Sequence, residues 1–154
     1  MKHEIQMTVN GQLLALSVES QEILLDVLRD RLALFGARES CGMSVCGACT
    51  VLIDDVPASS CTYFAALANR RSIMTIEGVA NGDALHPLQQ AFIEHGAFQC
   101  SYCTPGMVLT ALSLLREKPH PTEAEIRDYL SGNLCRCSAY PEILAAIKTV
   151  AAQG

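Results

Sequence analysis

Eight cysteines fall in two tight groups along the 154 residues, and this placement limits the fold more than any other feature. Cys41, Cys46, Cys49 and Cys61 lie in the first half, and Cys100, Cys103, Cys135 and Cys137 in the second. In a short secreted chain such a count would describe a disulfide framework. The N-terminus, Met1-Lys2-His3-Glu4, alternates polar with apolar residues and lacks the apolar core of a signal peptide. No apolar run reaches the ~18 residues of a membrane span. The expectation is therefore a cytoplasmic chain in a reducing medium, where cysteines serve as metal ligands or reactive thiols. Half of the residues are hydrophobic and only 18% are charged, which describes a globular chain. The formal net charge of −5 argues against nucleic acid and anionic membrane surfaces as partners, and the absence of Trp removes one stacking platform for bases.

The two halves differ in periodicity. Glu4 to Thr8 and Leu13 to Val18 flank Asn10-Gly11, a pair that accepts positive φ at both turn positions and so predicts a hairpin. Ser20 can cap a helix carrying Leu24, Val27, Leu28 and Leu32 on one face, with Gly36 at its C-terminal stop. Thr50 to Ile53 and Ile73 to Ile76 read as strands, with Asp54-Asp55 a turn. Asn81-Gly82-Asp83 is a linker-like break, and four helical patterns follow. Leu85, Leu88 and Phe92 mark the first, opened near Pro87 and ended at Gly96. The second runs from about Pro105 to Lys118. Thr122 and Glu125 form a T-x-x-E capping box for the third, which carries Ile126, Tyr129 and Leu130. Pro141 opens the fourth, with Ile143, Ala146, Ile147 and Val150 on one stripe. The fold class expected is α+β: a small strand-rich unit followed by a helical bundle with short connections.

Cys41-x4-Cys46-x2-Cys49, with Cys61 further on, is the spacing of plant-type [2Fe-2S] ferredoxins. Three thiolates must converge on one small cluster from a single sharply bent loop whose backbone N–H groups point at the sulfurs. Gly42, Gly47 and Ala48 keep that loop uncrowded. Such N–H groups stabilise an anionic cluster and tune its potential. Zinc sites favour two separated Cys pairs over three ligands in one Gly-rich loop. The second set, Cys100-x2-Cys103 with Cys135-x-Cys137, sits at helix ends that can meet at one end of a bundle. Spacing alone leaves it open between a second iron–sulfur cluster, zinc and a thiol role.

The run Gln99-Cys100-Ser101-Tyr102-Cys103-Thr104-Pro105-Gly106-Met107, together with Gly132-Asn133-Leu134-Cys135-Arg136-Cys137, resembles the small iron–sulfur subunit of the molybdenum hydroxylases, the xanthine dehydrogenase family. The resemblance runs from the first hairpin to the last helix. It implies an N-terminal ferredoxin-like β-grasp domain over 1–79 and a C-terminal four-helix bundle domain over 80–154, each with one [2Fe-2S] cluster. Cys41, Cys46, Cys49 and Cys61 would hold the first cluster, and Cys100, Cys103, Cys135 and Cys137 the second. It further implies a large subunit carrying molybdopterin, whose pterin would contact Gln99 and Cys137, and a medium subunit carrying FAD or another acceptor. Electrons would leave molybdenum singly through the second cluster and then the first. The alternative is a free-standing two-cluster shuttle of ferredoxin type. A zinc-stabilised binding module is the other rival. The family pattern has Gly where this chain has Ser44, Ser101 and Ala139, positions that bear on loop geometry and potential.

No nucleophile–base pair, phosphate loop or dinucleotide fingerprint is visible. His3, His86, His95 and His120 are scattered, which predicts surface or core roles for them. Arg70-Arg71 reads as a solvated turn. Arg136, between two thiols, could compensate cluster charge, contact a partner or simply be solvated.

Overall fold

The computed structural model describes residues 1–153. Asn10 and Gly11 adopt φ of 49° and 82°, the left-handed pair that a tight hairpin demands. They join β1 (Lys2–Val9) to β2 (Gln12–Glu19) in antiparallel register, with Ile5 opposite Leu16 and Met7 opposite Leu14. Alternation then places Ile5, Met7 and Val9 in the core. β3 (Thr50–Ile53), β4 (Val56–Ser59) and β5 (Ser72–Met74) complete a five-stranded sheet of order β2-β1-β5-β3-β4. β5 runs parallel to β1 and antiparallel to β3, so the sheet is mixed.

Three expectations for the first half need correction. The helix after β2 is only α1 (Leu24–Asp26), which passes into a wider π turn over Val27–Arg31. Ser20 does not cap it. Its hydroxyl donates to the Met1 carbonyl at 3.1 Å and lies 2.9 Å from His3 Nε2, tying the strand ends together. The N–H of Leu24 instead donates to Tyr63 O at 2.7 Å, so a distant segment provides the cap. Gly36 does not stop this helix either. The turn ends at Leu32, and Ala33 takes the left-handed φ of 55°. Gly36 lies against Ile76 and donates its N–H to Glu77 Oε1 at 2.7 Å. The expected strand to Ile76 stops at Met74 and is followed by a 3-10 turn over Ile76–Gly78.

Among its described residues the second half contains four α-helices, α2 (Pro87–Glu94), α3 (Thr104–Glu117), α4 (Glu123–Tyr129) and α5 (Tyr140–Ala151). The Thr122–Glu125 capping box forms as expected, with Thr122 N donating to Glu125 Oε2 at 2.7 Å and Glu125 N donating to Thr122 Oγ1 at 3.3 Å. α2 has a box that the sequence did not announce. His86 Nδ1 accepts from Leu88 N at 3.2 Å, and Gln89 Oε1 accepts from His86 N at 2.9 Å. α3 is buried continuously from Pro105 to Leu114, because other elements surround it.

β3 is the wall shared by the two halves, and all four of its residues are buried. Val51 and Ile53 face the core formed by β1, α1 and Ile73, while Leu52 joins Leu88, Phe92, Met107, Ile126 and Ile143 on the other side. Full burial of each such side chain contributes roughly 1.5–3 kcal/mol. The thiol-bearing loops lie beside this wall: Cys49 directly precedes β3, and Thr104 opens α3 directly after Cys103.

Candidate metal centres

The loop over residues 41–49 turns sharply on three left-handed positions, Gly42, Ser44 and Gly47, with φ of 63°, 59° and 69°. This bending points backbone amides at Cys41, whose Sγ accepts from Met43 N at 3.5 Å and Val45 N at 3.4 Å. Together with the amide and thiol of Cys46, these donors lower the Cys41 thiol to about 6. Cys61, from the 3-10 turn after β4, stands against Cys49 and within the field of Cys41. Burial pushes its thiol up, although the N–H of Ser44 partly opposes this. The four cysteines singled out in the first half therefore come together, in contact pairs Cys41–Cys46 and Cys49–Cys61.

The second set repeats this plan on unrelated backbone. Cys137 Sγ lies 3.5 Å from Cys100 Sγ. The amide of Tyr102 and then the Cys137 thiol lower the Cys100 thiol. Burial, and after it contact with Cys135, pushes the Cys103 thiol up to about 12. The field of Cys100 also reaches Cys103, which closes the foursome. Cys100 is exposed and Cys135 buried, as Cys41 is half-exposed and Cys61 buried in the first set.

Among the described residues, no three His, Cys, Asp or Glu side chains converge on a single-ion point. Two pairs of thiols facing one another suit a group with two metal atoms, one pair to each, better than a lone tetrahedral zinc. The donor set is four soft thiols in each group, which suits an iron–sulfur cluster. Thr104 Oγ1, next to Cys103, is a buried oxygen without a partner, a hydroxyl available to a sulfur acceptor.

The other candidate residues divide clearly. Gln99 is exposed, and its Nε2 donates to the Cys137 carbonyl at 3.1 Å, so the two residues expected at a pterin edge are neighbours. Arg136 is exposed. Arg71 pairs with Asp54 at 2.8 Å, and Arg70 adopts a φ of 62° in the turn beside it. His95 and His120 bond Thr149 Oγ1 and Ala151 O in α5.

Ser44 and Ser101, two positions where the family pattern has Gly, both adopt left-handed φ, of 59° and 63°. Ala139 does not, with φ of −76°; Ser138 before it holds the left-handed angle at 63°. A left-handed non-glycine residue costs roughly 1–2 kcal/mol. Ser44 offsets this by a 2.6 Å hydroxyl contact with Thr62. Ser101→Gly is therefore expected to raise the melting temperature by about 2–4 °C, while Ser44→Gly leaves it nearly unchanged. Thermal loss of secondary structure in the two variants measures the difference.

Sequence reasoning missed Asn133. It is buried, accepts from Thr110 Oγ1 at 2.9 Å through Oδ1, and donates through Nδ2 to Gly47 O at 3.2 Å and Thr50 Oγ1 at 3.3 Å. The next residue, Leu134, donates its N–H to Cys46 O at 2.9 Å. The two thiol loops are thus joined by a short hydrogen-bonded seam. The spacing Asn133-x-Cys135 was the one available hint, since a polar residue beside a buried thiol needs a buried partner.

Comparison with known proteins agrees with this geometry. Residues 7–73 match the family described as "2Fe-2S iron-sulfur cluster binding domain", and residues 75–148 match "[2Fe-2S] binding domain". The nicotinate dehydrogenase small FeS subunit of Eubacterium barkeri is 44% identical over 147 residues, covering 96% of this chain and 94% of the relative. The nicotine 6-hydroxylase small subunit of Paenarthrobacter nicotinovorans is 44% identical over 144 residues, covering 94% and 87%. A chain in the crystal structure of quinoline 2-oxidoreductase from Pseudomonas putida 86 superposes with a TM-score of 0.93 at 43% identity, over 97% of this chain and 93% of that one. With two paired thiol sets on one α+β frame and similarity to such subunits along nearly its whole length, the chain belongs to the small iron–sulfur subunits of the molybdenum hydroxylases, the electron-carrying members of multi-subunit oxidoreductases.

Proposed function

We propose that Cys41, Cys46, Cys49 and Cys61 hold one [2Fe-2S] cluster and Cys100, Cys103, Cys135 and Cys137 the other. The division follows the expected units, a β-grasp unit over 1–79 and a four-helix bundle over 80–154. The chain would dock a large molybdopterin-binding subunit on the side of Gln99 and Cys137. It would pass electrons to an FAD-binding medium subunit or another acceptor, in the cytoplasm. The carrying observation is the repeated pairing of thiols, with amide-supported Cys41 and Cys100 at one side of each set and buried Cys61 and half-buried Cys103 at the other. Clusters of this kind, when bound, take up and release one electron at a time.

The protein's own contribution is placement and charge. Met43 N, Val45 N and the Tyr102 amide stabilise negative sulfur, which favours cluster retention and shapes potential. Burial holds Cys61 and Cys103 as thiols in the cluster-free chain, so loading must release protons there. Gln99, fixed by its bond to the Cys137 carbonyl, keeps its own carbonyl oxygen as an acceptor for a pterin N–H.

The direct test is metal and spin counting on the purified protein. About four irons and four sulfides per chain, with two distinguishable paramagnetic signals on reduction, are expected. Stoichiometric zinc, or one signal integrating to one spin, would refute the reading. Gln99→Leu is expected to keep all iron but slow reduction of the second cluster after substrate is added to the assembled enzyme. Loss of the pterin contact costs roughly 1–3 kcal/mol. Rapid-freeze spectroscopy at an unaltered rate, with molybdenum content unchanged, would reduce Gln99 to a loop residue.

A further inference from the structure

Arg38 links the two thiol loops in a way that the proposed function does not use. Its backbone belongs to the approach to the first loop, where its N–H donates to Ala48 O at 3.1 Å. Its side chain leaves that loop for the other. Nη1 donates to the carbonyl of Ser101, between Cys100 and Cys103, and the guanidinium carbon stands 5.4 Å from the centre of the Tyr102 ring. The Tyr102 hydroxyl donates in return to the Glu39 carbonyl. Both groups holding the guanidinium, a carbonyl and an aromatic face, are neutral, so neither cancels its charge. The side chain also lines a cavity with Ile76, Phe92, Pro105 and Val108, whose apolar surroundings weaken solvent screening.

We infer that Arg38 sets the reduction potential of the second cluster, its anchored charge favouring the reduced form of the group held by Cys100, Cys103, Cys135 and Cys137. The inference rests on the two-cluster reading. One electron enters from the reductant, no bond forms or breaks, and the site becomes one unit more negative beside a fixed cation. The guanidinium is anchored at Ser101 and Tyr102, between two thiols of the second set, whereas the link of Arg38 to the first loop is its main-chain N–H at Ala48 O. The effect should therefore be selective for the second cluster, although Arg38 is close in sequence to the first.

The test is a mediated dithionite titration of the assembled enzyme carrying Arg38→Gln or Arg38→Lys, following both paramagnetic signals. Arg38→Gln is expected to shift the reduction equilibrium of the second cluster about tenfold toward the oxidised form, a fall of ~59 mV for a one-electron couple. The first cluster should move by less than half as much. Arg38→Lys, which keeps the charge, should hold the second cluster close to its native potential. An unmoved second cluster in Arg38→Gln, equal shifts of both clusters, or a lysine variant displaced as far as the glutamine one would each overturn the assignment and leave Arg38 a strut between loops. Should Arg38→Gln fail to retain iron, Arg38→Lys decides alone: a native second-cluster potential supports the role of charge, and a tenfold displacement refutes it. Iron content and two signals in the unmodified enzyme are scored first. Their failure would remove the two-cluster reading itself.

Discussion

Asn133→Leu is expected to destabilise the protein by about 1–3 kcal/mol and to loosen the helical half from the first thiol loop. The substitution conserves approximate volume but removes one acceptor and two donated bonds. Gly47 O and Thr50 Oγ1 each lose one bond but keep the one between them, while Thr110 loses its acceptor, all at buried positions. Each buried polar group left without a partner costs roughly 1–3 kcal/mol, and Thr110 can recover part of this by turning its hydroxyl to a carbonyl one helical turn back. The effect should be visible as a lower urea midpoint and as new protease cleavage between β5 and α2. Asn133→Asp, which keeps the acceptor toward Thr110 but sets a buried carboxylate oxygen against Gly47 O, should be at least as damaging as the leucine variant. An Asn133→Leu protein with a native midpoint would mean that the seam contributes nothing to cohesion.

Gly47→Ala is expected to be damaging for a different reason. A methyl group there would approach Gly132 O well inside ordinary contact and come within 2.6 Å of Asn133 Nδ2, on a residue whose φ is already +69°. Left-handed strain and overpacking against fixed backbone together cost about 2–5 kcal/mol. Because the same loop supports Cys46 and Cys49, the variant should also lose iron from the first site before the second. Gly106→Ala meets the same obstacle from the opposite side, since its methyl group would press on the carbonyl of Gly47. If Gly47→Ala retained full iron and native stability, the close approach of these loops would not be a constraint on the fold. Parallel loss of iron from both sites would instead show that the halves melt as one unit.

Local chemistry made much of this molecule legible in its sequence. Asn10-Gly11 gave its hairpin, Thr122 and Glu125 their capping box, and Cys41-x4-Cys46-x2-Cys49 the first thiol loop. These features depend on residues a few positions apart. The irregular α1 could not be read this way, because its first amide is capped by Tyr63, almost forty residues away. The two-sided burial of β3 was equally hidden: four apolar residues in a row look the same whether one face or both are covered. Asn133 was missed because its partners lie 83 and 86 residues earlier and leave no periodic trace. Ser44 and Ser101 were noticed as departures from a pattern, and their backbone angles supply the physical reason for that pattern.

The seam from Leu134 N to Cys46 O is made of main-chain atoms, so it does not depend on which side chains occupy the outer surface. Electron tunnelling falls off exponentially with the gap between donor and acceptor, and a gap bridged by mobile side chains would fluctuate with every encounter. Here the residues adjoining the two sites are fastened by a backbone hydrogen bond against a buried strand. The spacing between the two sites is thereby set by main-chain geometry and the buried Asn133 contacts, and not by long side chains free to change rotamer.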